Sequence, residues 1–200
     1  DKYKGKFDDG WDAYQQRVFE RQKEMGWIPA DTQLAPRPKE MPAWEDVPEE
    51  EKAFQVRLME VFAGFLEHTD VQVGKLIDEL EARGIRDNTL VIYILSDNGA
   101  SAEGIEGSIA ELNLQNGIPS KVEEHITVME QLGGLEEIGG PKMDNMYHSA
   151  WAWAGDSPFR YTKLVAADWG GTRTPMVISW PKRIKPDNTP RTQFTHVNDV

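Results

Sequence analysis

The 200-residue chain contains no cysteine. Disulfides, thiolate metal centres and a cysteine nucleophile are therefore excluded within it. The absence fits either redox compartment, so it does not locate the protein. Positive charge is also scarce. Against 34 acidic residues stand 22 basic ones, a formal net charge of -12. A general nucleic-acid surface needs positive charge and is not expected; a cation would be attracted. No apolar run approaches the roughly 20 residues that a membrane-spanning helix needs. The opening Asp1-Lys2-Tyr3-Lys4-Gly5-Lys6 is charged and unlike a signal peptide. The chain has no initiator Met and stops at Asn198-Asp199-Val200 without a terminal signal, so an internal fragment of a longer protein is expected.

What is present reads as one domain with a sizeable core. Asp8 to Met25 has helical periodicity through Trp11, Tyr14, Val18, Phe19 and Met25, with Gly26 placed to end it. Ile28 to Val47 is proline-rich and reads as an irregular surface crossing. A long helix is expected from about Pro48 to Arg83. Asp46 and Glu49 have capping-box spacing. An apolar stripe runs from Phe54 to Leu80, and Gly84 sits where a left-handed C-cap belongs. Thr89 to Leu95 then gives six consecutive apolar or aromatic residues, Leu90 to Leu95. Apolar residues on both faces predict a central strand of a parallel sheet flanked by helices, hence an α/β class. Residues 101–140 read as a long glycine-rich excursion containing one short helix, capped around Ser120 and Glu123 and ended by Gly133-Gly134. Trp151 to Lys163 is aromatic and packed, and Met176 to Trp180 is a second strand.

The end of the first strand, Ser96-Asp97-Asn98-Gly99, carries the first chemistry. Asn-Gly after an apolar run is a common hairpin turn. A hairpin needs a second strand at once, and Ala100-Ser101-Ala102-Glu103-Gly104 has no apolar alternation. An EF-hand loop needs oxygen donors at alternate positions before its glycine, where Ile94 and Leu95 stand instead. Ligands of open α/β sheets bind beyond the carboxyl ends of strands. Asp97 and Asn98 sit there as hard oxygen donors, suited to Ca2+ or Mg2+ rather than Zn2+. Two side chains do not complete a shell of about six to eight oxygens, so further ligands are needed.

Lys163, on a segment leading to Gly170-Gly171 and Arg173, is a candidate anion contact assisted by nearby backbone amides. For a lone lysine the ordinary alternative is a solvated surface residue. Of the four histidines, His68 and His125 read as surface or partly packed. His148 is a candidate for the mouth of a substrate site. Trp151, Trp153, Trp169 and Trp180 read as core or wall, although Trp151 or Trp153 could face a ligand.

The stretch LVIYILSDNGASAEG, followed by GGPKMDNMYHSAWAWAGDSPFRYTKLVAADWGGTRTPMVISWPKRI and then FTHVND, resembles the sulfatase family. The similarity extends from Tyr3 to Val200 and is to the large bacterial arylsulfatases of the alkaline phosphatase-like superfamily. It implies that the whole chain is part of a sulfatase catalytic domain, with a mostly parallel sheet flanked by helices. It implies that Asp97 and Asn98 are two ligands of a Ca2+ ion and that Lys163 contacts the sulfate. In the family a hydrated formylglycine, made from Cys or Ser in a Cys/Ser-x-Pro-Ser/Ala-Arg motif, attacks sulfur. The implied activity is sulfuric ester hydrolysis, and the partner a small-molecule or carbohydrate sulfate ester.

The departures from the family pattern are specific. No cysteine is available as formylglycine precursor. Asp156-Ser157-Pro158-Phe159-Arg160 only imitates the motif, since Asp156 stands two before the proline and Phe159 where a small residue belongs. The resemblance places the nucleophile and the other acidic ligands before Asp1, so the isolated chain is expected to be inactive. Asp168 stands near a position where relatives often have histidine, and no role is assigned to it. Two alternatives stay open: a phosphatase or phosphonate hydrolase of the same superfamily, and a non-catalytic binding protein derived from the fold. A periplasmic or secreted parent protein is the leading expectation, with compartment, substrate and oligomeric state unspecified by the residues.

Overall fold

The computed structural model describes residues 2–191 and 193–200, which leaves Asp1 and Thr192 outside the described residues. In chain order its elements are α1 (Gly10–Glu24), α2 (Glu49–Ala82), β1 (Val91–Ile94), α3 (Glu111–Gln115), α4 (Val122–Leu132), α5 (Ser149–Gly155), α6 (Trp169–Thr172) and β2 (Met176–Ser179). This mixture is the α/β class expected.

The long helix forms as its periodicity predicts, continuous through Gly64 and Gly74. Its first turn carries Glu49, Glu50 and Glu51, whose charges suit the positive end of the helix dipole. The capping pair expected from Asp46 and Glu49 does not form. A 3-10 turn over Trp44–Asp46 takes up Asp46, and Pro48 stands at the N-cap with no side-chain bond. At the other end Gly84 adopts φ +67°. The Ile85 amide donates to the Leu80 carbonyl at 3.1 Å and the Gly84 amide to Glu81 at 2.9 Å. This pair of bonds satisfies carbonyls that the helix end leaves open.

The core sits between the N-terminal half of α2, α1, α5 and the 101–147 segment. Trp11, Phe54, Leu58 and Trp151 are buried at its centre. Trp11 and Trp151 meet edge to face at 5.6 Å. Their polar edges are satisfied, Trp11 donating to the Pro42 carbonyl and Trp151 to that of Gln55. Trp151 and Trp153 are therefore core. Burial of side chains this large contributes about 1.5–3 kcal/mol each relative to exposure. The second half of the α2 stripe differs from expectation. Phe65 and Leu76 remain 63% and 67% exposed among the described residues.

The glycine-rich segment is more ordered than its composition predicts. It forms two helices, α3 and α4, and contributes Ile109, Val122, Met129 and Ile138 to the core. The start of α4 lies one residue later than expected, because Glu124 accepts from the Lys121 amide at 2.9 Å while Ser120 bonds His125 instead. His125 is consequently packed, and burial lowers its pKa.

The two expected strands form and pair with each other. β1 runs antiparallel to β2 with Ile92 opposite Ile178 and Tyr93 opposite Val177. This antiparallel ladder is the one sheet among the described residues. The parallel neighbours expected from the Leu90–Leu95 run are not among these residues, and Ile94, Leu95, Val177 and Ile178 stay exposed.

Candidate functional site

The β1 strand ends in a turn, not a hairpin. Ser96 has φ +82°, a left-handed conformation that costs a non-glycine residue energy. Among the described residues three other non-glycine residues share this feature, and two of them, Tyr161 at +63° and Leu164 at +78°, flank Lys163. Strained backbone thus precedes Asp97-Asn98 and flanks Lys163, and such strain concentrates at functional sites.

The turn is fixed on both sides by backbone contacts. The Leu95 amide donates to the Pro175 carbonyl at 3.0 Å, and the Gly99 amide to Gly171 at 3.1 Å. A Cβ on Gly99 would lie 1.6 Å from the Gly170 carbonyl oxygen, so only glycine fits there. Gly170 is equally confined, since its Cβ would meet the Tyr161 oxygen at 2.0 Å. These close approaches explain the Gly170-Gly171 pair. They also remove it from the anion pocket expected of it, because the Gly170 and Gly171 amides already donate to Arg160 and Asp168 carbonyls. Arg173 is engaged too, its guanidinium lying 4.9 Å from the Phe159 ring centre and 5.2 Å from that of Trp169.

Between these anchors Asp97 is exposed and Asn98 is half-buried. The Asn98 amide nitrogen donates to Asp97 Oδ1 at 2.7 Å. Turning that amide would set its oxygen beside the carboxylate, an all-oxygen pair whose repulsion a hard cation relieves. The donor chemistry therefore fits Ca2+ in kind. It falls short in number, since no cluster of three or more His, Asp or Glu able to hold a metal occurs among the described residues.

Lys163 belongs to the same neighbourhood. Its amide donates to the Ala100 carbonyl at 3.0 Å, which docks the lysine segment on the turn. Its ammonium donates to Glu103 Oε2 at 2.6 Å. The Glu103 contact, and more weakly the Asp97 charge, raise the lysine pKa above its ordinary value. Glu103 is pulled below the usual carboxylate range by that bond and by the Ser101 hydroxyl, which donates to it at 2.7 Å.

His148, the candidate for the mouth of a substrate site, lies in the core. It is 6% exposed, stacks on Trp11 at 4.6 Å and caps α5 by accepting from the Ala150 amide through Nδ1 at 2.9 Å. Burial pushes its pKa down to about 4. It is packed within the core of this structure. Sequence reasoning missed Glu103 and Asp156. The Ser-x-Glu spacing of Ser101 and Glu103 is a local signal for the first. Asp156 was visible only as part of an imitation motif.

The whole chain, residues 1–200, matches the sulfatase family model. It belongs to the sulfatase family. An uncharacterized sulfatase of Schizosaccharomyces pombe is 35% identical over 191 residues, covering 93% of this chain and 31% of that protein. An arylsulfatase of Klebsiella aerogenes is 28% identical over 184 residues, covering 90% of this chain and 36% of that protein. The chain thus spans about a third of the length of these curated sulfatases. No helix among the described residues is long and apolar enough to cross a membrane.

Proposed function

We propose that the full-length protein hydrolyses sulfate esters as an arylsulfatase-type enzyme, and that this chain supplies one wall of its active site. The observation that supports this most directly is the docking of the Lys163 segment on the Asp97-Asn98 turn through Ala100. That contact brings two oxygen donors and one cation to the same surface, as recognition of a metal-bound oxyanion needs.

Asp97 and Asn98 would hold one Ca2+, completed by ligands outside this chain. Bound there, the ion supplies positive charge against the sulfate oxygens as charge builds in the transition state. Lys163 adds a second positive group and must exchange Glu103 for sulfate to do so. The chain contains no Cys/Ser-x-Pro-Ser/Ala-Arg motif, so the formylglycine nucleophile is assigned to sequence outside these residues. The isolated chain is accordingly proposed to be inactive. Asn98 favours a single hard cation over the Zn2+ pair of phosphatase relatives, because Zn2+ accepts imidazole readily.

Relative turnover of an aryl sulfate and an aryl phosphate by full-length protein tests the reading. Faster sulfate hydrolysis, lost in Asp97→Ala, is expected. Faster phosphate hydrolysis would favour the phosphatase alternative, and no turnover of either the binding protein.

A further inference from the structure

Asp156 is the C-cap residue of α5, the helix that carries the buried Trp151 and Trp153. Its backbone is held twice: its amide donates to the Ala152 carbonyl, and its carbonyl accepts from the Phe159 amide, each at 3.0 Å. The side chain leaves this rigid base and reaches a different element. The Ala100 amide donates to Asp156 Oδ1 at 3.0 Å and Oδ2 at 3.1 Å. Asp156 Oδ2 also lies 3.2 Å from the position that a Gly99 Cβ would take, so the carboxylate is seated directly behind the turn. No basic side chain pairs with Asp156 among the described residues.

A carboxylate drawn out of water without a cationic partner is unfavourable for packing alone. Its contact is the amide two residues after Asn98, in a part-buried position. Ala100 is also the residue whose carbonyl receives the Lys163 amide. One peptide position therefore links the core helix, the Asp97-Asn98 pair and Lys163. Outer groups that fix metal-ligand orientation are typically worth about 10–100-fold in metal affinity.

We infer that Asp156 is a positioning residue: through the Ala100 amide it fixes the Ser96–Ala100 turn so that Asp97 and Asn98 present their oxygens beside Lys163. This rests on the proposed metal-site reading for its purpose, but the clamp itself can be measured separately.

Amide exchange at Ala100, followed by NMR in the 200-residue chain, reads the clamp. Ca2+ titration of the Asp97 and Asn98 amide signals reads its consequence. In wild type, Ala100 exchanges well below its intrinsic rate. Asp156→Ala is expected to speed that exchange about tenfold or more and to weaken Ca2+ binding by about tenfold. Asp156→Asn, which keeps an oxygen acceptor, is expected to restore most of both. Asp156→Leu, similar in size but without an acceptor, should match the alanine variant and replaces it if that variant does not fold. Unprotected Ala100 in wild type, or protection unchanged in the alanine or leucine variant, would overturn the clamp. Loss of protection with no change in Ca2+ affinity would overturn its positioning role. Wild type and Asp97→Ala binding Ca2+ equally would instead refute the metal-site reading, while the exchange data would still decide the clamp.

Discussion

The Lys163 ammonium and the Glu103 carboxylate are joined at 2.6 Å, with their side chains 31% and 40% exposed. A pair this open to solvent contributes only about 0–1 kcal/mol. The contact is therefore strong enough to orient the lysine and weak enough to be displaced by an anionic ligand.

This sets the first prediction. Glu103→Gln should change the melting temperature of the chain by less than about 4 °C, because little stability resides in the pair. In the full-length enzyme it should lower KM for a sulfate ester by removing a competitor for Lys163, while Lys163→Ala raises it. Steady-state kinetics at low ionic strength checks both. An unchanged KM in both variants would show that Lys163 does not meet the substrate.

The second prediction concerns backbone fit. At Gly99 and Gly170 an added methyl would overlap backbone oxygens, which cannot rotate away as a side chain can. Gly99→Ala and Gly170→Ala should each destabilise the chain by about 1–3 kcal/mol. Gly64→Ala, where a Cβ meets nothing within 4 Å, should instead be neutral or stabilising. Urea unfolding of the three variants gives the comparison.

The third prediction follows from two oppositely shifted groups. Burial pushes the Asp156 carboxyl up to about 7 from its ordinary 3.8, so the native state holds this proton more tightly than the unfolded chain. Its contribution to stability falls as pH rises from about 4 to about 7. His148, lowered from 6.5 to about 4, works the other way, and its contribution rises as pH rises from about 4 to 6.5. Over that shared window the two slopes oppose each other, each at most about 1.4 kcal/mol per pH unit. Asp156→Asn should therefore uncover the histidine, giving a stability that climbs with pH relative to wild type. Unfolding midpoints across pH 4 to 7 provide the test. Parallel curves for variant and wild type would contradict it.

The fourth prediction is weak metal affinity. Two donors of a larger shell should bind Ca2+ in this chain with a Kd on the order of millimolar or weaker. Asp97→Ala should abolish the binding. Calorimetry or NMR titration measures it, and tight binding that survives the substitution would contradict the site.

The elements legible in the sequence were those specified by local chemistry. The α2 stripe, Gly84 and Gly26 in left-handed C-cap positions, and the two apolar strands all appear close to the expected boundaries. His148 was not legible, because its stacking partner Trp11 lies far away in the chain and no local pattern links them. The order of the 101–140 segment was hidden for a similar reason. Its glycines read as breakers, while its sparse apolar residues gain their burial from α2.

At the candidate site the division is sharper. Residue type alone gives two hard oxygen donors at a strand end and a lysine farther along, and the motif set determines the sulfatase family. The sequence determines these because donor chemistry, helical periodicity and turn signals are properties of neighbouring residues. Only the tertiary structure joins the parts: Ala100 to Lys163 and Asp156, Gly99 to Gly171, and Lys163 to Glu103. Those pairings join residues about 56 to 72 positions apart in the chain, which no local pattern records.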